Sequence, residues 1–364
     1  MRHHVDHRHD RVLELVRERG SIRVTELAAE LGVSPVTLRR DVDMLANQGK
    51  VQRMHGAVVW PGEAARAEQP DTGGRVIGMI VPTTRYIFGD VVSGARRVVE
   101  AQGGRLVLGV SGYVDSEDPV QAEHLLNSGA EGLLVAPSWF VGAPAGGQEE
   151  WLMACEAPTV LVERTAQAAN PAALLDRVRT DRAHGAALAV SHFASLGHRS
   201  VAAVLQEGPH AAGITSGYLD SVRSLGLETV PGSPCVRVSG QEYDEVAEYL
   251  VEAVERHGVT AALVHSDEDA IVLVPRLQAR GIAVPEDLAL IAYEDEVANL
   301  ADVPLTAVAP PKQAVGELAA KLLLQRLAER STGREPEPRQ HVDLLPKLRV
   351  RASCGALRAP SGAE

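Results

Sequence analysis

Residues 33–45 read VSPVTLRRDVDML. Ser34 is a good helix N-cap, and Pro35 fits the first helical position, where no N–H is needed. Leu38, Val42 and Leu45 recur at i, i+4 and i+7, which sets them on one helix face bound for a core. At about 100° per residue, Val36, Thr37 and Arg40 point the other way, with Arg39 on the flank. An outward face of a hydroxyl and guanidinium groups suits the major groove of duplex DNA. Arginine forks onto guanine or phosphate there, and threonine reaches either.

The flanks extend the same reading. Upstream, Val12, Leu15 and Val16 mark an amphipathic helix ended by Gly20, and Ser21-Ile22-Arg23 is extended. Thr25 is expected to cap a second helix over 26–31, broken by Gly32 at the tight turn between two helices. Downstream, residues 50–59 suit a two-stranded hairpin turning near His55-Gly56, with Lys50, Arg53 and His55 available for backbone contacts. Residues 10–59 together read as a winged helix-turn-helix.

Charge is divided along the 364-residue chain. The net charge is −12, yet residues 1–60 hold ten Lys/Arg against eight Asp/Glu. A small basic head is followed by a large acidic body that phosphate would repel. His3, His4, His7 and His9 are expected in a frayed, weakly basic tail rather than a metal site. Three distant cysteines, Cys155, Cys235 and Cys354, suggest neither a disulfide framework nor zinc. No apolar run approaches the roughly 20 residues of a membrane span, and the polar N-terminus is unlike a secretory signal. The expectation is a cytoplasmic, nucleoid-associated protein with no membrane contact.

Residues 61–74 lack apolar periodicity and read as a linker. From Arg75 short β-rich runs at 76–81, 106–110, 132–136 and 159–162 alternate with helical stretches at 90–102, 120–128 and near 149–154. A second series has strands at 200–205, 235–238, 261–265 and 288–292, with helices at 184–196, 215–225, 243–257 and 268–280. Such alternation predicts doubly wound parallel α/β sheets in two lobes. Ligands bind outside the carboxyl ends of such strands. The expected fold class is α/β: a small winged helix-turn-helix over 1–60, then a two-lobed body over 75–355 and a tail over 356–364. No glycine-rich phosphate loop, nucleophile elbow or paired-histidine zinc motif occurs, so no catalytic residue, metal or cofactor is expected. His198, in a helix-to-strand turn, reads as a capping residue.

Two resemblances follow from these residues. Thr25-Glu26-Leu27-Ala28, residues 33–41, Leu45, Gly49-Lys50-Val51 and Arg53-Met54-His55-Gly56-Ala57 resemble the DeoR-family winged helix, departing from it at Ala57. That resemblance implies that Thr37, Arg39 and Arg40 meet DNA and that Asp41 pairs locally. In the body, residues 195–202, 265–270, 281–295 (GIAVPEDLALIAYED) and 304–308 resemble the LacI/GalR effector domain, a periplasmic-binding-protein-like fold. The DNA head and hinge helix of that family are missing, and a DeoR-like head replaces them.

The second resemblance implies a ligand cleft. It places Phe88 in the first strand-to-helix loop, Glu163 at a strand end with Arg164 behind it, and Ser266 and Asp267 at an Asn-Asp pair. Glu294 falls at a sugar-holding aspartate, and Trp139 and Phe140 at the rim. Carboxylates accept from hydroxyls, and an aromatic face covers a sugar ring. Two departures stand out: Ile214 replaces an expected arginine, and both carboxylates are glutamate. The resemblance implies a homodimeric transcriptional regulator, a repressor of carbohydrate genes with operator DNA and a sugar or sugar derivative as partners. Two rivals are a transporter's solute-binding protein, opposed by the head, and an enzyme with a sugar-phosphate-isomerase-like body, opposed by the missing motifs.

Overall fold

The computed structural model describes residues 9, 11–16, 21–34, 37–38, 41–42, 45–46, 50–54, 57–59, 74–139, 150–166, 169–237, 242–333, 335 and 337–356. The chain divides into two units, Met1–Gly73 and Gly74–Glu364, called the head and the body below. The expected linker, apart from Gly74, and the expected tail beyond residue 356 lie outside the described residues.

In the head, Val12, Leu15, Val16, Leu27, Leu38, Val42 and Leu45 are buried in one core, as their spacing requires. Ser34 caps the third helical stretch: its Oγ accepts from the Thr37 amide at 3.1 Å. The second helix is Val24–Glu30, and Arg23 holds its cap position without a side-chain bond. Thr25 therefore lies inside the first turn, because the core draws Val24 in directly after the preceding strand. Residues 21–23 are more than extended. Strand β1 (Ser21–Arg23) pairs antiparallel with β3 (Ala57–Val59), which also pairs with β2 (Gln52–Met54). Ile22 opposite Val58 drops both side chains into the core, so the wing is three-stranded. His9 is also corrected: it is helical, and its Nε2 lies 3.2 Å from Asp41 Oδ1.

The body has two lobes, each built on a six-stranded sheet. The first sheet contains β4 (Val76–Val81), β5 (Arg105–Val110), β6 (Gly132–Val135), β7 (Thr159–Val162), β8 (Asp176–Thr180) and β14 (His341–Leu344), in the order β14-β8-β7-β6-β4-β5. The second contains β9 (Ala202–Gln206), β10 (Cys235–Arg237), β11 (Ala261–Val264), β12 (Ala289–Tyr293), β13 (Thr306–Ala309) and β15 (Lys347–Arg349), in the order β10-β9-β11-β12-β13-β15. Every body pairing is parallel except β13 with β15. The central strands are continuous apolar runs because helices cover both faces: all of β6, β7, β11 and β12 is buried.

Four strands and one long helix lie where the sequence reading placed none. Strand β8, DRVRT, carries charge because its partners are charged. Asp176 accepts from Arg326 Nε at 2.8 Å, Arg339 Nη1 at 2.9 Å and the Gln340 amide at 2.7 Å. Arg177 and Arg179 face Asp343 on β14. The helix Lys312–Thr332 shows no single apolar stripe, since it is wedged between helix Ile87–Ala101 and strands β6, β7 and β8. Strands β13, β14 and β15 are only four, four and three residues long. The chain crosses between lobes after β8, β13 and β14, and two crossings are tied where the Asp181 amide donates to Leu344 O at 2.9 Å. Among the described residues no helix is long and apolar enough to cross a membrane, and no three potential metal ligands cluster.

Helices Ile87–Ala101 and Lys312–Thr332 touch backbone to backbone at Gly94 and Gly316. A Cβ on Gly316 would fall 1.9 Å from Val91 O, and one on Gly94 would fall 2.1 Å from Gln313 O. Gly316→Ala is expected to cost about 1–3 kcal/mol, read from the urea midpoint, because the helices must part. Gly208→Ala, where a Cβ meets open space, is expected to change stability by less than about 0.5 kcal/mol.

Candidate functional site

The carboxyl ends of the parallel strands in the two lobes converge on a cavity of about 400 Å³. Thr83, Arg85, Tyr86 and Phe88 after β4 and Tyr113 after β5 line one side. Glu207 and His210 after β9, His265 after β11 and Glu294 after β12 line the other. Five non-glycine residues in the turns after strands adopt positive φ: Tyr86 (55°) after β4, Tyr113 (61°) after β5, Glu163 (52°) directly after β7, and Glu294 (100°) and Asp295 (57°) directly after β12. Side chains other than glycine are strained there by about 1–3 kcal/mol each, and such strain concentrates at functional sites.

The floor is a buried charge cluster. Arg182, in the first turn of helix Arg182–Ser195, donates through Nη1 to Glu294 Oε1. Its Nη2 lies 3.4 Å from Glu163 Oε2. Glu163 Oε1 accepts the Thr180 hydroxyl at 2.6 Å. Lys312 Nζ lies 3.6 Å from Glu294 Oε2 and also pairs with Glu296. His265 Nε2 lies 3.6 Å from Glu294 Oε1. Burial works to raise the Glu294 pKa, but Arg182, His265 and Lys312 outweigh it and hold the carboxyl well below its usual range. Burial, helped by Arg182 and Arg164, pushes His210 well below its ordinary value, so that imidazole is neutral. The Tyr86 hydroxyl crosses between lobes to donate to Asp267 Oδ1 at 2.8 Å.

The sequence-derived candidates separate into three groups. Glu294 and Phe88 line the cavity, although Phe88 sits in the first turn of helix Ile87–Ala101 and not in a loop. Glu163 and Arg164 are buried behind it, and Arg164 stacks 5.5 Å from the Phe88 ring centroid. Ser266 and Asp267 hold the scaffold. Ser266 is the N-cap of helix Asp267–Gln278. Asp267 Oδ2 accepts the Glu296, Val297 and Ala298 amides at 2.7, 2.7 and 3.0 Å. Trp139 is not on the rim: it is buried with Ile80, Leu125 and Leu152, because apolar contacts absorb the ring. Phe140 lies outside the described residues. Ile214, in place of the expected arginine, is fully buried. His198 ties a turn, its Nδ1 lying 2.7 Å from Thr260 Oγ1.

Sequence reasoning missed Arg182, Lys312, His265, His210 and Tyr86. A signal existed for the first two. Arg182 and Lys312 each begin a helix, where the macrodipole disfavours a cation. A cation there needs another reason, and the glutamates supply it.

In the head, the Ser34 and Thr37 hydroxyls lie 2.8 Å apart, both exposed, while Leu38 and Val42 fix the opposite face in the core. Lys50 is exposed, and Arg53 lies on β2. Pro35, Val36, Arg39, Arg40 and His55 lie outside the described residues.

Similarity to known proteins matches both units. Residues 8–63 match the DeoR-like helix-turn-helix domain and residues 190–354 the periplasmic binding protein-like domain. The chain is 25% identical over 326 residues to the arabinose metabolism transcriptional repressor of Geobacillus stearothermophilus, covering 84% of each protein. It is 26% identical over 321 residues to the transcriptional repressor PurR of Vibrio atlanticus, covering 84% of this chain and 92% of that one. A LacI family regulator from Enterococcus faecium, solved with bound ribose, superposes with a TM-score of 0.60 at 23% identity, covering 78% of this chain and all of that one. The chain is thus a DNA-binding transcriptional regulator, not an enzyme. It joins a DeoR-like helix-turn-helix head to a periplasmic-binding-protein-like body.

Removing Arg182 would leave two buried carboxylates without their cation. Arg182→Met is expected to destabilise the body by about 3–5 kcal/mol in chemical denaturation, and adding Glu294→Gln should recover part of the loss. Acid should act in the same sense. Glu294 is depressed in the folded state, so its contribution is complete above its ordinary pKa of 4.5 and is lost as pH falls below it. His210, held neutral, opposes folding once pH drops below 6.5, where the unfolded chain takes up the proton. Glu294→Gln should flatten the wild-type fall in stability below pH 4.5.

Proposed function

We propose that the protein is a homodimeric repressor of carbohydrate uptake or catabolic genes, acting in the cytoplasm at operator DNA. A small polar ligand between the lobes controls it. One observation carries the ligand reading: the cavity at the strand ends, where Glu294, His265, Phe88 and Tyr113 converge with backbone strain at three of the surrounding turns. The named functions of its relatives, arabinose metabolism repression among them, support the carbohydrate assignment. Dimerisation through the body matches two-fold operators. Thr37 and Ser34, with Pro35, Val36, Arg39 and Arg40, form the groove-facing surface, and Lys50, Arg53 and His55 contact the backbone. A ligand that prefers the closed cleft shifts the lobe equilibrium and with it the affinity for DNA.

Genomic footprinting of the protein tests the assignment: sites beside sugar transport or catabolic genes support it, and sites elsewhere refute it. Arg40→Ala is expected to abolish binding to such a site in a mobility-shift assay while leaving thermal unfolding of the body unchanged. Glu294→Gln is expected to keep operator binding and to lose the response to the sugar that releases or recruits the wild type.

A further inference from the structure

Side-chain bonds tie the two lobes together at different distances from the lobe crossings. Arg182 with Glu163, and Lys312 with Glu294 and Glu296, lie beside the crossings, at the starts of the helices that follow them. Tyr86 with Asp267 does not. Tyr86 follows β4, three strands in from the crossing strand β8, and Asp267 follows β11, two strands in from the crossing strand β13. At the usual spacing between neighbouring strands, that is roughly 10–14 Å out from the crossings. A bond near the crossings stretches little when the lobes swing apart, whereas one that far out must break.

Tyr86 is committed to this bond. It holds the N-cap position of helix Ile87–Ala101 at φ 55°, yet its side chain caps nothing. A bulky residue in that conformation is strained and persists only where its surroundings hold it. The hydroxyl instead reaches the other lobe and donates to Asp267 Oδ1 at 2.8 Å. Burial pushes this hydroxyl well above its ordinary pKa, so it stays a donor. Asp267 is fully buried, and its bonds from the Glu268, Glu296, Val297 and Ala298 amides all come from its own lobe. Those amides fix the carboxylate in place, and Tyr86 supplies the donor from the opposite wall. The tyrosine also lines the cavity, with Lys312 Nζ 5.8 Å from the centroid of its ring.

Resting on the reading of the cavity as a ligand cleft, we propose that the Tyr86–Asp267 bond is its latch. The bond sets the balance between closed and open lobes, and ligand enters or leaves as it breaks. A hydrogen bond to a carboxylate changes such a balance by about tenfold or more.

Hydroxyl-radical footprinting of the full-length protein, without added sugar, reads the opening from cavity-lining side chains on both walls: Phe88 on one, His210 and His265 on the other. Tyr86→Phe keeps the ring and removes the hydroxyl. It is expected to raise modification of all three residues severalfold, while Trp139 and Phe193, buried in the cores of the two lobes, stay protected. Tyr243→Phe is the control, since it removes a tyrosine–carboxylate bond of 2.7 Å, to Asp269, that lies within one lobe. It should leave Phe88 and His210 unchanged. No rise in Tyr86→Phe, a rise confined to Phe88, or an equal rise in Tyr243→Phe overturns the latch and leaves the cleft reading standing. A rise that extends to Trp139 and Phe193 overturns it too, because the bond then supports the fold and not the closure. The cleft reading fails separately. If L-arabinose, D-ribose and cellobiose all leave Phe88, His210 and His265 of the wild type unprotected, the sugar cleft is overturned, and with it the role of the bond in ligand exchange.

Discussion

The body depends on one buried cation. Arg182 stands between Glu163, at the end of a strand in one lobe, and Glu294, at the end of a strand in the other. Neither glutamate tolerates burial alone, since an isolated ionised carboxylate in a low-dielectric interior is costly. The guanidinium lets both remain charged, and Lys312 adds a second positive neighbour from the next lobe crossing. Other features follow from this placement. Two helices begin with a cation against their own dipoles, and two glutamates take up left-handed backbone to reach it. The chain supplies from within much of the polar contact that a sugar would otherwise make at the cleft floor.

Around that floor the labour is divided. Asp267 organises a turn by gathering three amides, and Ser266 caps a helix, so both define the wall without offering free valence. Phe88 is a core residue whose ring reaches the cavity. The wall that holds Arg164 is a different environment: carbonyls and a π face, with no counter-ion among the described residues.

Much of the fold was legible because it rests on local apolar pattern. Strands such as Gly132–Val135 and Ala261–Val264, and helix Tyr243–His257, announce themselves by continuous or periodic hydrophobicity. Strand Asp176–Thr180 does not, because its stability comes from arginines more than 140 residues away in sequence, and only the folded neighbours make DRVRT a sensible strand. The same limit applies to the cleft. Strand-end position exposed Glu163 and Glu294, which are marked by the runs before them. Arg182 and His265 acquire meaning only from the carboxylates they meet in the folded body, Glu163 from the other lobe and Glu294 from the neighbouring strand. Trp139 failed as a rim residue because a strand-end aromatic can pack inward as readily as outward.

The three lobe crossings all lie at one edge of each sheet, at β8 and β14 on one side and β13 and β15 on the other. Three connections in a row suppress sliding and twisting between the lobes and leave a single swing about the line that joins them. Arg182 and Lys312 sit two and three residues past the strands, β8 and β13, that lead into two of those connections, close to the axis. A contact made or broken there has a short lever arm. It moves its neighbours little, while the far edges, β5 and β10, travel most. The geometry therefore acts as an amplifier, with its input at the buried guanidinium and its output at the opposite rims of the two sheets.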